Sequence, residues 1–168
     1  MLQNLRVKNL ALIQETEVSF GEGLNILTGE TGAGKSLLID AVNLALGAKF
    51  DKEMLRKGVE QASVELQFSG NDRVGQKLRE MELEAQEDGS VILTRKMQVG
   101  KSVFRINGEV VTARQVKELA EVLIDIHGQH EHQSLLHKKK HMEILDAFGG
   151  EEAAALSEEV AKKYRQWK

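Results

Sequence analysis

The stretch LNILTGETGAGKSLLIDAV, residues 24–42, decides the fold of this chain. It begins with a short apolar run, residues 24–28, and continues through a glycine-rich turn. It ends in a run whose apolar residues lie three or four positions apart. A short apolar run bounded by glycine predicts a buried strand, and the wider spacing predicts a helix. The sequence therefore predicts a strand, a loop and a helix in direct succession, with the helix over 36–46 and Gly47 ending it.

The glycine-rich turn, GETGAGKS (29–36), matches the pattern G-x-x-x-x-G-K-S/T of phosphate-binding loops. Glycines let several backbone amides turn toward one anion, and the positive end of the following helix faces the same point. Lys35 adds a charge for the β- and γ-phosphates, and the Ser36 hydroxyl is a ligand for Mg²⁺. The predicted nucleotide cradle consists of Gly29, Glu30, Thr31, Gly32, Ala33, Gly34, Lys35 and Ser36.

The composition restricts the class of protein. The 168 residues suffice for one domain with a core, include no cysteine for disulfides or thiolate-bound zinc, and contain no apolar run of membrane-spanning length. The net charge of −3 gives no overall attraction for nucleic acid. Together with an N-terminus that lacks the layout of a secretory signal, these features lead us to expect a cytoplasmic protein.

Alternation between apolar and polar residues predicts antiparallel strands over 4–20 and 62–111. Within the second range, Asn107-Gly108 predicts a two-residue hairpin because both residues tolerate positive φ. Thr112 is predicted to cap the helix that follows. The expected fold is therefore α/β, a P-loop NTPase with an added antiparallel portion.

We expect two parts in the chain, a lobe over 1–150 and a charged helix over 151–168. The helix has apolar residues at intervals of three or four over only about two heptads, and this spacing alone favours a helix packed on its own domain. The chain stops inside the helix without a cap or glycine, so we expect the helix to continue in a longer protein. The apolar positions are Ala153, Leu156, Val160, Tyr164 and Trp167.

Two polar residues near the end of the lobe are candidates for the metal site. Asp125 follows an apolar run in EVLIDIHG (121–128), as expected for the acidic residue that holds Mg²⁺ in nucleotide hydrolases. Any buried strand can end in this way, so the alternative for Asp125 is a backbone hydrogen bond at the start of a loop. Gln129 lies in that loop, and its amide offers an acceptor and a donor to bridge Mg²⁺ and an attacking water.

A group of histidines invites a zinc site, but neither H-E-x-x-H nor cysteine accompanies it. The run of lysines at 138–140 is typical of a solvated face. We therefore predict no metal role for the group, which comprises His127, His130, His132, His137 and His141.

Four cations, Arg95, Lys96, Lys101 and Arg105, fall on two predicted strands that pair with one another. The favoured interpretation is cross-strand charge pairing on an exposed face. The alternative is that one or two of them lie near nucleotide or DNA.

Three longer stretches carry a family resemblance: LRVKNLALIQETEVSFGEGLNILTGETGAGKSLLIDAVNLALG (5–47), the hairpin FRINGEVVT (104–112) and DIHGQHEHQSLL (125–136). Together they resemble the N-terminal head segment of the SMC-like ABC-type ATPases, a superfamily of chromosome-organising and DNA-break-repair proteins. Many families share the phosphate loop, whereas HGQHEHQ after the hairpin is much more specific. The resemblance covers residues 1 to about 150.

In that superfamily one polypeptide builds an ATPase head from its two ends, which a long coiled coil separates. The resemblance implies that a C-terminal half of the same polypeptide supplies a signature motif and a second acidic motif, both absent from this sequence. It implies catalytic roles for Lys35 and Gln129 and metal ligation by Ser36 and Gln129. It makes Asp125 a weaker candidate, and it makes residues 151–168 the start of the coiled coil.

The resemblance further implies ATP and Mg²⁺ as cofactors and a homodimer in which two heads enclose two nucleotides. The process served would be DNA double-strand break repair and recombination in the bacterial cytoplasm, at the nucleoid, with few DNA contacts in this chain. We expect the chain alone to be inactive in hydrolysis because half of the required groups are absent.

Two other classes of protein remain open. A self-contained small P-loop kinase or NTPase would need Asp125 or a similar acid at the metal, and the N-K-x-D string of GTPases does not occur. A nucleotide-gated scaffold would use ATP only to dimerise. Hydrolysis by the chain alone favours the first class, hydrolysis only with a C-terminal segment favours the split head, and dimerisation without hydrolysis favours the scaffold.

Overall fold

A computed structural model of the chain describes residues 1–29, 34–126, 145 and 148–167. The chain divides into two compact units, Met1–Ile124 and Asp125–Lys168. The first unit carries the sheet and the helix that follows the phosphate loop, and the second carries the C-terminal helix.

The first unit is built on one sheet of six strands in the order β2-β1-β3-β4-β5-β6. Every neighbouring pair is antiparallel, which confirms the antiparallel portion predicted from the alternation over 4–20 and 62–111. The strands are β1 Leu2–Leu10, β2 Ile13–Ser19, β3 Gln61–Phe68, β4 Val91–Gln98, β5 Lys101–Ile106 and β6 Glu109–Val111.

The two faces of the sheet differ because successive side chains of a strand point to opposite sides. One face is apolar and buried, as where Leu66 of β3 lies opposite Leu93 of β4. The other face is polar, as where Thr94 donates to the Glu65 carboxylate across the same two strands at 3.1 Å. The helices of this unit therefore pack on the apolar face.

Short-range sequence signals set the helix and turn boundaries. Asn107 and Gly108 have φ of 50° and 89° and form the predicted hairpin turn between β5 and β6. Thr112 caps the last helix of the unit through a capping box with Gln115, as predicted. The helices are α1 Lys35–Ala45, α2 Asp72–Glu80 and α3 Ala113–Leu123, and a 3₁₀ turn spans Lys52–Met54.

Two predicted strands are wrong for this chain. Residues 24–28 have no strand assignment, and Leu24 and Ile26 are 86% and 72% exposed. The side-chain amide of Asn25 binds back to Gly21, with Nδ2 donating to its carbonyl at 2.9 Å, so this segment begins in a turn. The strand predicted to end at Asp125 is also absent, because α3 runs to Leu123 and residues 124–126 have no strand assignment. Buried parallel strands need neighbours on both sides, and the described residues supply none here.

The second unit contains α4, Gly150–Trp167, which confirms the predicted C-terminal helix. Its apolar positions Leu156, Val160, Tyr164 and Trp167 are all exposed. The rings of Tyr164 and Trp167 lie 6.2 Å apart at their centroids. That this helix starts a coiled coil stays a prediction. No helix among the described residues has the length and apolar character needed to cross a membrane.

Candidate nucleotide-binding site

The phosphate loop is flanked by two glycines with positive φ, the second of them at the start of α1. Gly34 precedes the helix with φ of 93° and ψ of −5°, a left-handed conformation that favours glycine over residues with a side chain. Gly29, at the other end of the loop, also has a positive φ, 150°. Residues 30–33 of the predicted cradle lie outside the described residues. The glycines at both ends of the loop therefore take the positive-φ conformations that favour glycine, as the motif predicts.

Lys35 reaches back across the loop. Its ammonium donates a hydrogen bond to the carbonyl oxygen of Gly29. Because the ammonium has three donors, this contact fixes its position at the mouth of the loop and leaves capacity for phosphate oxygens. Ser36 follows in the first turn of α1 and is exposed, so its hydroxyl is accessible to a metal ion.

The N-terminal end of α1 is electrostatically suited to an anion. Its first intrahelical bond runs from the amide of Leu38 to the carbonyl of Gly34 at 3.1 Å, so the amides before Leu38 have no partner within the helix. No side chain caps this end among the described residues, and its first turn holds no acidic residue. The helix dipole and these amides together favour a phosphate at this point.

Helix α1 packs on the core along its length and is most buried in its C-terminal half. Ala41, Leu44 and Ala45 are buried against the core, whereas Ile39, in the first half of the helix, is 50% exposed. The end of the helix that carries the loop is therefore less buried than the end that does not.

A buried arginine contacts the C-terminal end of α1. Arg95 of β4 is only 5% exposed, and its Nη1 donates to the carbonyls of Leu44 at 2.7 Å and Ala48 at 2.6 Å. Its Nη2 donates to the Ser102 hydroxyl at 3.2 Å, and its guanidinium lies 4.5 Å from the Phe104 ring centroid. Burial lowers the pKa of Arg95 below its ordinary value, because an apolar environment disfavours the charged form.

The expectation that Arg95 lies on an exposed face is therefore wrong. Arg95 shares the buried face of β4 with Leu93 and Met97, because residues two apart along a strand point to the same side. This alternation along β4 could have predicted from the sequence that Arg95 is buried. Lys96 and Lys101 are exposed as expected.

Cross-strand charge pairing is not found for the other cations of these strands. Lys96 lies opposite Val103 and Arg105 lies opposite Thr94, so neither faces a carboxylate. Arg105 instead donates to the carbonyl of Gly108 in the hairpin at 2.6 Å.

Of the two candidates for the metal site, the structure describes Asp125 but not Gln129. Asp125 is exposed and follows a helix, so it does not end a buried strand as the alternative hydrolase interpretation requires. Gln129 lies outside the described residues, as do the five histidines between 127 and 141. Within the part of the chain that is described, no group of three or more His, Cys, Asp or Glu side chains is placed to hold a metal ion.

The fold and the loop at the start of α1 together define a P-loop NTPase. A family model described as an AAA domain matches residues 4–168, and the chain belongs to that family. The curated relatives that it matches are named DNA repair protein RecN. One from Halalkalibacterium halodurans is 42% identical over 99% of this chain, and one from Bacillus subtilis is 39% identical over 99%. The chain covers 30% and 29% of those two relatives, so it spans less than a third of their length.

Solved structures agree on the fold. A chain from work described as the structural biochemistry of ATP-driven dimerization and DNA-stimulated activation of SMC ATPases aligns with a TM-score of 0.59 at 20% identity. The alignment covers 71% of this chain and 77% of that one. The recombination mediator protein RecF aligns with a TM-score of 0.52 at 20% identity, over 69% of this chain and 29% of that one. The chain thus has the fold found in SMC heads and RecF, which confirms the predicted fold class.

Proposed function

We propose that this chain is the N-terminal lobe of an SMC-like ATPase head that acts in DNA double-strand break repair and recombination. One observation carries the proposal: a phosphate loop sits on a helix fixed to a folded lobe, while the apolar segment that leads into the loop lies unpaired and exposed. A nucleotide site built in this way is half complete. A split head explains both the phosphate loop and the exposed apolar segment before it, whereas a self-contained kinase explains only the loop.

The missing half is proposed to come from the C-terminal end of the same polypeptide. Residues 24–28 contain Leu24, Ile26 and Leu27, which are 86%, 72% and 46% exposed. Three exposed large apolar residues in four positions are a surface that water disfavours, and their order suits a strand buried on both faces. We propose that strands of the C-terminal half pair with this segment. The relatives provide the length for such a segment, because the chain covers 30% of the first of them.

Within the completed site, the chemistry is assigned as follows. The amides at the start of α1 and the Lys35 ammonium bind the β- and γ-phosphates of ATP, and Ser36 binds Mg²⁺. Gln129 is proposed as the second metal ligand from this chain and as the group that orients the attacking water. Mg²⁺ held by Ser36 and Gln129 would supply positive charge next to the phosphates, and the signature motif of a partner head is proposed to complete the site.

The assembly follows from the same proposal. Two heads dimerise around two ATP molecules, and α4 begins the coiled coil that connects the lobe with its C-terminal half. The role in DNA repair and recombination is proposed from the shared name of the relatives. We further propose that the protein works in the cytoplasm, at the nucleoid. We propose that most DNA contacts lie outside this chain, because its net charge is −3.

Calorimetric titration of the full-length protein with MgATP tests the nucleotide site, and uptake of nucleotide is expected. ATP hydrolysis is then measured for the 168-residue chain, for a separately produced C-terminal segment, and for the mixture. We expect hydrolysis only in the mixture. Hydrolysis by the chain alone would instead support a self-contained NTPase. ATP-dependent dimerisation of the full-length protein without hydrolysis would support a scaffold.

A further inference from the structure

Helix α1 carries the phosphate loop at one end and is more deeply buried at the other. Its buried residues, Ala41, Leu44 and Ala45, lie in its C-terminal half, whereas Leu37 and Leu38 near the loop are only partly buried against the core. An eleven-residue helix is about 15 Å long, so a tilt of about 10° at the more deeply buried end moves the loop end by roughly 2–3 Å. Hydrogen bonds to phosphate do not survive a displacement of that size. The contacts at the C-terminal end therefore contribute to where the amides meet a nucleotide.

Arg95 supplies the polar part of these contacts. The carbonyls at the end of a helix have no partner within the helix, and the helix dipole makes this end negative. Nη1 of Arg95 donates to the carbonyl of Leu44 in the last turn of α1 at 2.7 Å and to that of Ala48, three residues beyond the helix, at 2.6 Å. A guanidinium donates along fixed directions, so two short bonds from it fix both position and angle.

The guanidinium is itself held in place on its other side. Ser102 accepts from Nη2 at 3.2 Å, and the Phe104 ring lies 4.5 Å from the guanidinium carbon. Both residues belong to β5, the strand next to β4. The link between the sheet and α1 therefore runs through a side chain that is fixed by two strands. An apolar residue of similar volume would fill the same space without giving the helix a defined angle.

We propose that Arg95 is a positioning residue for the nucleotide site: by holding the C-terminal end of α1, it helps to set where Lys35 and the first-turn amides meet the phosphates. This inference rests on the proposed function of the loop. Arg95 touches no reacting atom in this scheme, since it acts through the length of α1.

The test uses the full-length protein with Arg95→Met, which keeps the volume and removes the donors, and Arg95→Lys, which keeps a charge and a donor. The matched control is Leu78→Ala, a core substitution in α2 that lowers stability and removes none of the Arg95 contacts. MgATP affinity is measured by calorimetry under conditions in which urea titrations show each variant to be folded. Hydrogen–deuterium exchange of the amides of α1 is followed in parallel.

Arg95→Met is expected to weaken MgATP binding by roughly tenfold or more, the size of losing one hydrogen bond to a charged group, and to speed exchange along α1. Arg95→Lys should recover part of both effects, and Leu78→Ala should change neither. Equal affinity and exchange in Arg95→Met and in the unsubstituted protein would overturn the positioning role while leaving the proposed function intact. A full-length protein that takes up no MgATP would overturn the proposed function, and with it the role assigned to Arg95.

Discussion

The ammonium of Lys35 donates a hydrogen bond to the carbonyl oxygen of Gly29. A lysine at the first position of α1 thus contacts the residue that begins the loop. The contact is exposed, so a phosphate can replace the carbonyl as the partner of the ammonium.

Replacing this lysine removes the main charge at the mouth of the loop. Lys35→Ala is expected to weaken MgATP binding by roughly 10- to 100-fold, because hydrogen bonds to charged groups are worth about 1.5–3 kcal/mol each. Calorimetry with the full-length protein measures the change. Lys49→Ala is the matched control, since Lys49 is an exposed lysine beyond the other end of α1. Equal binding by Lys35→Ala and the control would contradict the assigned site.

Substitution of Gln129 tests whether hydrolysis can be lost while nucleotide binding is kept. Gln129→Ala is expected to leave MgATP affinity within about twofold and to lower the hydrolysis rate by about 100-fold, a loss comparable to that of one preorganised polar group. Steady-state hydrolysis by the full-length protein measures this rate. Gln133→Ala, in the same stretch of sequence, serves as the control. An unchanged rate would remove Gln129 from the mechanism.

The exposed apolar segment before the loop makes a prediction about association. Leu24→Ser with Ile26→Ser is expected to weaken binding of this chain to the separately produced C-terminal segment by at least about tenfold, because each buried side chain contributes about 1.5–3 kcal/mol. Leu12→Ser is a close control, because Leu12 is also highly exposed, at 83%, but lies in the turn between β1 and β2. Binding that survives the double substitution would mean that the C-terminal half docks elsewhere.

Strands β1 and β2 carry an exposed ion pair whose effect on the pKa of one carboxyl can be measured. Glu15 accepts from Arg6 at 2.7 Å and pairs with Lys8 at 3.1 Å, and the hydrogen bond from Arg6 holds the pKa of the Glu15 carboxyl below its ordinary value. A carboxyl with a depressed pKa stabilises the folded state above its unfolded pKa, and this contribution is lost as pH falls through the folded pKa. We therefore expect the carboxyl resonance of Glu15 to titrate at lower pH than that of a free glutamate.

The substitution Arg6→Met tests the cause of that shift. It should move the titration of Glu15 back toward the ordinary value in an NMR pH titration, with Lys8 alone maintaining part of the shift. Arg73→Met is a suitable control, since Arg73 is exposed on α2. A Glu15 titration that is unaffected by Arg6→Met would show that the ion pair does not form in solution.

Local chemistry made much of this fold predictable. Asn107 and Gly108 define a turn, and Thr112 caps α3, through interactions that span at most three residues. Alternation likewise identified the antiparallel strands, because β1, β3, β4 and β5 each have one buried face. Such signals depend on few distant residues, so the sequence alone carries them.

The predictions that failed depend on neighbours that the local pattern does not specify. The apolar residues 24–28 read as a buried strand, yet a strand exists only when another strand pairs with it. Arg95 was taken for a surface cation because of its charge, although its position between Leu93 and Met97 places it on the buried face of β4. Its carbonyl partners at Leu44 and Ala48 lie some fifty residues earlier in the chain, beyond the reach of any short-range pattern.

The exposed segment at Leu24, Ile26 and Leu27 also bears on how the protein is made. A ribosome releases this lobe long before the far end of the polypeptide, if that end supplies its partner strands. Throughout this interval the exposed apolar segment of the nascent lobe would favour association with other copies nearby.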